Sequence, residues 1–421
     1  MTAIIGRIMR FEKYAISEDI KESLEELGFK RPTDIQFKAI PSILKGEDVL
    51  AIAQTGTGKT AAFAIPILHL LQQDQERRKR PKHLLQCLVM VPTRELALQI
   101  AGVFQQIGQF TELKTIALVG GVEQENQHKH LQKGVDIVVA TPGRLFDLHH
   151  QQVLNLQDIR LLVLDEADHM LDLGFNKDIA DIKKRLPNRH QTLFFSATID
   201  TRIKDLAYAM VHNPIRIQVS PQDPVSKNIE HAVAFVAMDD KRFFLERLVK
   251  ELPGKKMLVF TRTKVRAERV QAAMKRVHIE SLVMHGGKEQ ADRLTVMEQF
   301  RQGEIPLLIT TDVNARGVDI PDVDYVVNYD LPEQADNYVH RVGRTGRGTK
   351  KGQAISFCSE EEKPLLAAIE AYTGTKIKEK LIASDAYRET LALSEETPND
   401  NWRQLLKEAE NTPLKKKKKK K

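Results

Sequence analysis

The chain has 421 residues, more than one ordinary hydrophobic core holds, so its length predicts two domains. Hydrophobic residues make up 42% and charged residues 29%, and we expect a globular protein with neither a membrane span nor a secretion signal. The net charge of +7 arises from the seven lysines at 415–421, because the remaining basic residues equal the 57 acidic ones. A nucleic-acid partner must therefore be argued from local sites.

From residue 49 onward, short apolar runs alternate with longer amphipathic stretches. The runs are rich in Val, Ile and Leu, as buried parallel strands are, and lie at 49–53, 87–91, 115–119, 136–140, 161–164 and 192–195. Helices are predicted between them, for example at 94–110 and 176–186. The proline-containing segment VSPQDPVSKN at 219–228 predicts a linker.

The alternation then resumes, with apolar runs at 232–236, 257–260, 281–284, 307–309, 325–327 and 354–357. Strand–helix alternation of this kind predicts an α/β protein with two parallel sheets, each flanked by helices. The predicted organisation is a first domain at 1–219, a linker at 220–228, a second domain at 229–373 and a charged extension at 374–421.

The cysteines and the lysine run carry little chemistry of their own. Cys87 and Cys358 lie in apolar runs without metal-ligand spacing, which predicts core residues and a reduced, cytoplasmic compartment. The run 415–421 predicts a charged arm. Non-specific binding of RNA and simple solubilisation are both open roles for it.

A phosphate-binding loop follows the first strand. Residues 53–60 read AQTGTGKT and match the phosphate-loop pattern, with Ala53 in place of its first glycine. The glycines let backbone N–H groups approach phosphate, Lys59 reaches the β- and γ-phosphates, and the Thr60 hydroxyl ligates Mg²⁺. The nucleotide-binding residues of the loop are Thr55, Gly56, Thr57, Gly58, Lys59 and Thr60.

Two adjacent carboxylates end the strand at 161–164. Asp165 is predicted to hold Mg²⁺ together with Thr60, and Glu166 to orient and deprotonate the attacking water. Paired with Lys59, these residues predict a catalytic site for nucleoside triphosphate hydrolysis.

An ordered set of motifs then resembles one known family. The set comprises PTRELA at 92–97, GG at 120–121, TPGR at 141–144, DEAD at 165–168, SAT at 196–198, ARGVD at 315–319 and HRVGRTGR at 340–347. Over about residues 11–373 the chain resembles the DEAD-box ATP-dependent RNA helicases of superfamily 2. The resemblance implies two tandem RecA-like domains with a cleft between them.

The resemblance also implies roles for single residues. Arg344 and Arg347 look like arginine fingers that complete catalysis on domain closure, and Asp319 would place the ribose. Phe29 and Gln36 resemble the adenine-binding motif, in which Asp34 replaces the usual proline. A core role and a functional one are both open for Phe11. The residues expected to couple the ATP and RNA sites are Ser196, Thr198, Asp168 and His340.

Backbone contacts to RNA are implied on both domains. The expected RNA-binding residues are Pro92, Thr93, Arg94, Gly121, Thr141 and Arg144 in the first domain, and Gly286, Gln290, Arg293 and Thr311 in the second. Hydroxyls, glycine N–H groups and arginines position a strand without reading its sequence. The expected protein is a monomer that uses ATP and Mg²⁺ and acts on single-stranded RNA, short duplexes or ribonucleoprotein assemblies. An ATP-gated RNA clamp, a DNA helicase and a scaffold are the alternatives.

Overall fold

The computed structural model describes residues 10–54, 56–78, 83–121, 124–187, 189–219, 225, 228–312, 323–346 and 351–392. Three predicted site residues, Thr55, Asp319 and Arg347, lie outside the described residues, as do the lysines at 415–421 and the side chain of Gln290.

The first half of the chain forms a seven-stranded parallel sheet in the order β3-β4-β2-β5-β6-β1-β7. Its strands are β1 (Val49–Ala53), β2 (Cys87–Met90), β3 (Thr115–Leu118), β4 (Ile137–Ala140), β5 (Leu161–Leu164), β6 (Gln191–Ser196) and β7 (Ile215–Val219). The helices are α1 (Glu18–Glu26), α2 (Asp34–Leu44), α3 (Lys59–Arg78), α4 (Arg94–Ile107), α5 (Gln124–Gln132), α6 (Pro142–His150), α7 (Ala167–Asp172), α8 (Asn176–Arg185) and α9 (Thr201–Met210).

Both faces of this sheet are covered, which explains its uninterrupted apolar runs. Val49 and Ala51 of β1 belong to a core that includes α2, α3 and α4, whereas Leu50 and Ile52 belong to a core on the opposite face. Successive side chains of a strand point to opposite faces, so a strand buried on both faces must be apolar throughout.

The second half forms another seven-stranded parallel sheet, in the order β10-β11-β9-β12-β13-β8-β14. Its strands are β8 (Ile229–Phe235), β9 (Met257–Phe260), β10 (Leu282–Met284), β11 (Leu307–Thr310), β12 (Tyr325–Asn328), β13 (Gly352–Cys358) and β14 (Lys378–Glu379). The helices are α10 (Lys241–Glu251), α11 (Lys264–Arg276), α12 (Gln290–Gln302), α13 (Ala335–Val342), α14 (Lys363–Thr373) and α15 (Ser384–Ala392).

The predicted α/β class with two parallel sheets is confirmed, and the two strands that sequence reasoning missed are edge strands. β7 reads IRIQV and is largely exposed, and β14 is only Lys378 and Glu379. Neither presents the continuous apolar run of a central strand. β14 pairs with β8, and residues 378–392 therefore pack on the second sheet.

Helix α15 is anchored by Tyr387. Its hydroxyl donates to Asp240 Oδ2 at 2.7 Å and accepts from the Ala237 N–H at 3.1 Å, while its ring packs 4.8 Å from that of Phe244. Cys87 and Cys358 are both buried free thiols, in agreement with their expected core positions. None of the described helices is long and apolar enough to cross a membrane.

Candidate nucleotide and nucleic-acid site

The predicted site residues of the first domain gather at the carboxyl edge of its sheet. The phosphate loop follows β1, the DEAD sequence follows β5, and the SAT sequence ends β6, which lies between those two strands. Parallel α/β sheets bind ligands at this edge because all loops that leave the strands converge there. The strand order thus places Ser196 between the predicted phosphate and metal residues.

The phosphate loop has the backbone geometry that an anion site requires. Gly56 and Gly58 have φ angles of +80° and +91°, a region that other residues rarely adopt. Lys59 begins α3 and is buried, and its Nζ atom has no hydrogen-bond partner within the described protein. Because an unpaired buried ammonium is costly, this geometry fits an anionic group bound at the loop.

Gln36 is attached to this loop. Its Oε1 accepts from the Thr33 N–H at 2.9 Å and closes the capping box of α2, and its Nε2 donates to the Gly58 carbonyl at 3.1 Å. A Cβ atom at position 58 would lie 2.5 Å from Gln36 Nε2, which is too close for a non-bonded contact, so this position requires glycine. The capping box forms with Asp34 at the start of the helix, so replacing the usual proline leaves the turn intact. The predicted contact of Gln36 with adenine stays a prediction.

Aromatic side chains surround a cleft beside this motif. The rings of Phe11 and Phe29 meet edge to face at 5.9 Å, and Tyr14 lies 6.0 Å from Phe11. Phe11 is buried and Phe29 half-buried. The cleft has a volume of about 690 Å³ and is lined by both phenylalanines and Leu24 together with many charged side chains, among them Arg31. The two phenylalanines offer aromatic surface to a planar base, and the contact of Phe29 with adenine stays a prediction.

The pKa values of the two predicted hydrolytic carboxylates are shifted in opposite directions. Burial raises the pKa of Asp165 to about 6, against the attraction of Lys59. Burial would also raise the pKa of Glu166, but His169, Lys59 and Arg344 overcome it and lower that pKa to about 2. Glu166 is therefore ionised at neutral pH, as a general base must be. The Asp165 carboxylate is an unfavourable buried charge that a bound cation would stabilise.

Glu166 also has an unusual backbone. Its φ and ψ angles are 52° and 47°, in the left-handed region, where the chain turns from β5 into α7. Non-glycine residues adopt this region rarely, and such strain concentrates at functional sites. The turn places the buried Glu166 carboxylate near the His169 ring, with 3.5 Å between Oε2 and Nδ1.

Asp168 joins the DEAD and SAT sequences directly. Its Oδ2 atom accepts from the N–H groups of Ala197 and Thr198 at 3.1 and 3.2 Å, and from the Thr198 hydroxyl at 3.3 Å. Ser196 is fully buried, and its hydroxyl lies 3.4 Å from the Thr198 N–H. These contacts hold the two segments together, and the expected role of Ser196, Thr198 and Asp168 in coupling the ATP and RNA sites stays a prediction.

The second domain contributes Arg344, which is 3% exposed. Its positive charge is one of those that lower the pKa of Glu166, so it lies near the predicted base although 178 positions separate the two in the chain. Its Nε donates to the carbonyl of His340 at 3.3 Å. The structure thus brings one predicted arginine finger to the first domain.

Arg341, which sequence reasoning did not single out, supports this segment. It is fully buried, and its guanidinium binds both carboxylate oxygens of Asp312, at 2.5 and 2.7 Å. It also donates to the Asp330 carbonyl and lies over the ring of Phe260. Bidentate pairs of this kind fix geometry as well as adding energy.

The predicted RNA-binding residues lie near the carboxyl ends of strands in both domains, but several of their polar atoms are engaged by protein. The Thr93 hydroxyl caps α4 by accepting from the Leu96 N–H at 3.3 Å. Arg144 donates to Asp147 at 2.7 Å and to Gln127 at 3.2 Å. The remaining members of the set are placed as follows: Pro92 and Thr311 are buried, Arg94 packs against Gly120, Thr141 precedes α6, and Gly121 and Gly286 are exposed.

Glu95, which sequence reasoning also did not single out, connects the two domains. Its Oε1 atom accepts from Nη2 of Arg293, on α12, at 2.8 Å, and the two side chains are only 6% and 11% exposed. Burial lowers the pKa of Arg293 against the attraction of Glu95. The signal was present in the sequence, since Glu95 is an acid beside Arg94 on a surface predicted to bind a polyanion. The predicted contact between Arg293 and RNA stays a prediction.

Comparisons with known proteins match this arrangement. The family model "DEAD/DEAH box helicase" matches residues 33–206, and "Helicase conserved C-terminal domain" matches residues 240–349. An ATP-dependent RNA helicase RhlB from Shewanella amazonensis is 39% identical over 365 residues, 86% of this chain and 83% of its own. The chain belongs to the DEAD-box family of ATP-dependent RNA helicases.

Other DEAD-box proteins agree with this assignment. The ATP-dependent rRNA helicase RRP3 from Debaryomyces hansenii is 38% identical over 368 residues, 87% of this chain and 76% of its own. The structure of S. cerevisiae Dbp5 bound to RNA and ADP BeF3 superposes with a TM-score of 0.80 at 31% identity, covering 90% of this chain and 97% of Dbp5. The two sheets are accordingly the tandem RecA-like domains that the resemblance implies.

Proposed function

We propose that this DEAD-box protein is an RNA-stimulated ATPase that separates short RNA duplexes by bending one strand. The observation that carries the proposal is the buried contact between Glu95 of the first domain and Arg293 of the second, at 2.8 Å, together with the positive charge of Arg344, which acts on Glu166. A catalytic site divided between two domains is active only when they meet. Any ligand that favours their meeting therefore activates hydrolysis.

The overall arrangement supports a closed state. The TM-score of 0.80 with RNA-bound Dbp5 falls to 0.52 with a DEAD box protein from Methanococcus jannaschii, although that chain is 35% identical. The difference therefore does not follow sequence identity. We propose that the described arrangement is the one in which ATP and RNA are held by both domains.

Hydrolysis follows from the residues at the cleft. Lys59 binds the β- and γ-phosphates, and Glu166 accepts a proton from water as the water oxygen attacks the γ-phosphorus. The bond from the γ-phosphorus to the bridging oxygen breaks, and ADP leaves with that electron pair. Arg344 stabilises the negative charge of the transferred group, a contribution of about 10³–10⁵ in rate for arginine fingers of related enzymes. Arg347 is proposed to act beside it, and Asp319 to hold the ribose.

Magnesium is the metal that these residues fit. Asp165 is a buried carboxylate whose pKa burial raises, and a bound cation would stabilise its charge, while Thr60 adds a hydroxyl. Within the described part of the chain, no group of three or more His, Cys, Asp or Glu residues could hold a metal. Mg²⁺ suits such a site because it is commonly held by one or two carboxylates, water and substrate phosphates. When bound, it would neutralise charge on the phosphates.

Two assays test the proposal. The purified protein should hydrolyse ATP faster with single-stranded RNA than alone or with DNA, and should displace one strand of a short RNA duplex when ATP is present. The names of the relatives favour a helicase over a clamp. Persistent RNA binding with ATP but no displacement would instead identify the clamp, and equal stimulation by DNA would remove the RNA assignment.

A further inference from the structure

His169 lies immediately after the DEAD sequence and faces the predicted base. Its Nδ1 atom is 3.5 Å from Oε2 of Glu166, and the two residues are 4% and 8% exposed. Neither atom has a hydrogen-bond partner among the described residues. A buried polar atom left unpaired destabilises the folded protein. Two such atoms in adjacent positions are therefore expected to bind each other or a shared water.

The local fold explains why these two side chains meet. Glu166 occupies the left-handed turn that ends β5, and His169 follows it by three positions in α7. Side chains separated by three positions lie on the same face of a helix. Asp168 between them points elsewhere, since its carboxylate binds Ala197 and Thr198. The contact of His169 with Glu166 is thus separate from the link between the DEAD and SAT sequences.

We propose that His169 is a positioning residue for Glu166, in which its Nδ1–H group donates to Oε2 and leaves the other carboxylate oxygen directed at the attacking water. The inference rests on the proposed ATPase function. It requires the ring to carry a proton on Nδ1, and the distance of 3.5 Å is longer than an ordinary hydrogen bond. Catalytic hydrogen bonds are often long without substrate and shorten in the substrate complex.

A positioning role differs measurably from a purely structural one. A structural histidine would change the stability of the first domain, with catalysis affected only as the protein unfolds. A positioning histidine changes the orientation of the base after ATP has bound. Since misplacing a catalytic group by ~1 Å can cost about 100-fold, we expect His169→Leu to lower kcat by about 10- to 100-fold with little change in KM for ATP.

The conservative variant makes the test specific. In His169→Asn the amide nitrogen occupies roughly the place of Nδ1, so the hydrogen bond can reform and most of the lost kcat should return. In His169→Gln the amide reaches the place of Nε2 instead, and recovery should be poorer. His130→Leu, which alters an exposed histidine of α5, is the matched control and should behave as wild type.

The experiment measures RNA-stimulated ATP turnover of the full chain and its variants, with melting temperatures recorded in parallel. His169→Leu should be slow, His169→Asn faster, and His169→Leu added to Glu166→Gln should cause little further loss. Equal kcat for wild type and His169→Leu, or the same kcat for the Asn and Leu variants, would overturn the inference. If His169→Leu does not fold, the kcat values of His169→Asn and His169→Gln are compared instead. A higher kcat for the Asn variant supports the inference, and an equal or lower one overturns it. A wild type without RNA-stimulated turnover would refute the proposed function itself, which separates the two failures.

Discussion

The contact between Glu95 and Arg293 predicts how strongly the two domains are coupled. We consider Glu95→Gln, which keeps the shape of the side chain and removes its charge. When the domains separate, both groups return to water, whereas in the closed state of this variant Arg293 stays buried beside a neutral amide. What is lost is therefore at least the difference between a charge-assisted hydrogen bond, worth about 1.5–3 kcal/mol, and a neutral one, worth about 0.5–1.5 kcal/mol.

The closed state should therefore lose at least about 1–1.5 kcal/mol, which is at least about 5- to 12-fold in its population. RNA affinity in the presence of a non-hydrolysable ATP analogue should fall by that factor, as should ATP turnover at limiting RNA. Both quantities should fall further in Arg293→Gln, because this variant removes the cation altogether. The double variant should be no worse than Arg293→Gln alone, since the pair is already broken.

The sign of the effect discriminates between two roles of this surface. If Glu95 were only an acid beside bound RNA, neutralising it would strengthen RNA binding. If it holds the domains together, neutralising it weakens binding. RNA affinity of Glu95→Gln equal to or above that of wild type would refute the reasoning, as would additive losses in the double variant. Arg301→Gln, which breaks an exposed ion pair with Glu298 inside the second domain, is the control and should change little.

Further predictions concern the nucleotide site and the C-terminal arm. Glu166→Gln should bind ATP and RNA but lose at least about 100-fold in turnover, and near-normal RNA-stimulated turnover would exclude Glu166 as the base. Because the pKa of Asp165 is raised from 3.8 to about 6, its carboxylate costs stability progressively as pH rises between those values. In the absence of Mg²⁺, Asp165→Asn should therefore raise the free energy of unfolding by about 3 kcal/mol above pH 6 and by little below pH 4. Denaturant unfolding at pH 7.5 measures this gain, and finding none would contradict the prediction. Gln36→Ala should reduce the preference for ATP over GTP by about 5- to 150-fold in competition assays, whereas unchanged discrimination would remove the adenine assignment. Deletion of residues 415–421 should weaken RNA binding at low salt and flatten its salt dependence; unchanged affinity would leave solubilisation as the arm's role.

Much of the fold was readable because its signals are local. Strands β1, β2, β4 and β5 are buried on both faces, so each reads as an apolar run that needs no knowledge of its neighbours. Strands β7 and β14 carry no such run because most of their side chains are exposed, unlike those of the buried edge strand β10. β14 is defined only by its pairing with β8, 146 positions earlier, and sequence periodicity contains no trace of that pairing.

The candidate site divides in the same way. The phosphate loop and the adjacent acids Asp165 and Glu166 were predictable from sequence, because each depends on a few consecutive residues after one strand. Which side chains act on them was decided by tertiary structure. The contact of His169 with Glu166 depends on a left-handed turn, and the pairing of Glu95 with Arg293 joins residues 198 positions apart. Covalent neighbours determine the chemistry available at each point of the chain, whereas the packing of distant segments determines the electrostatic environment in which that chemistry operates.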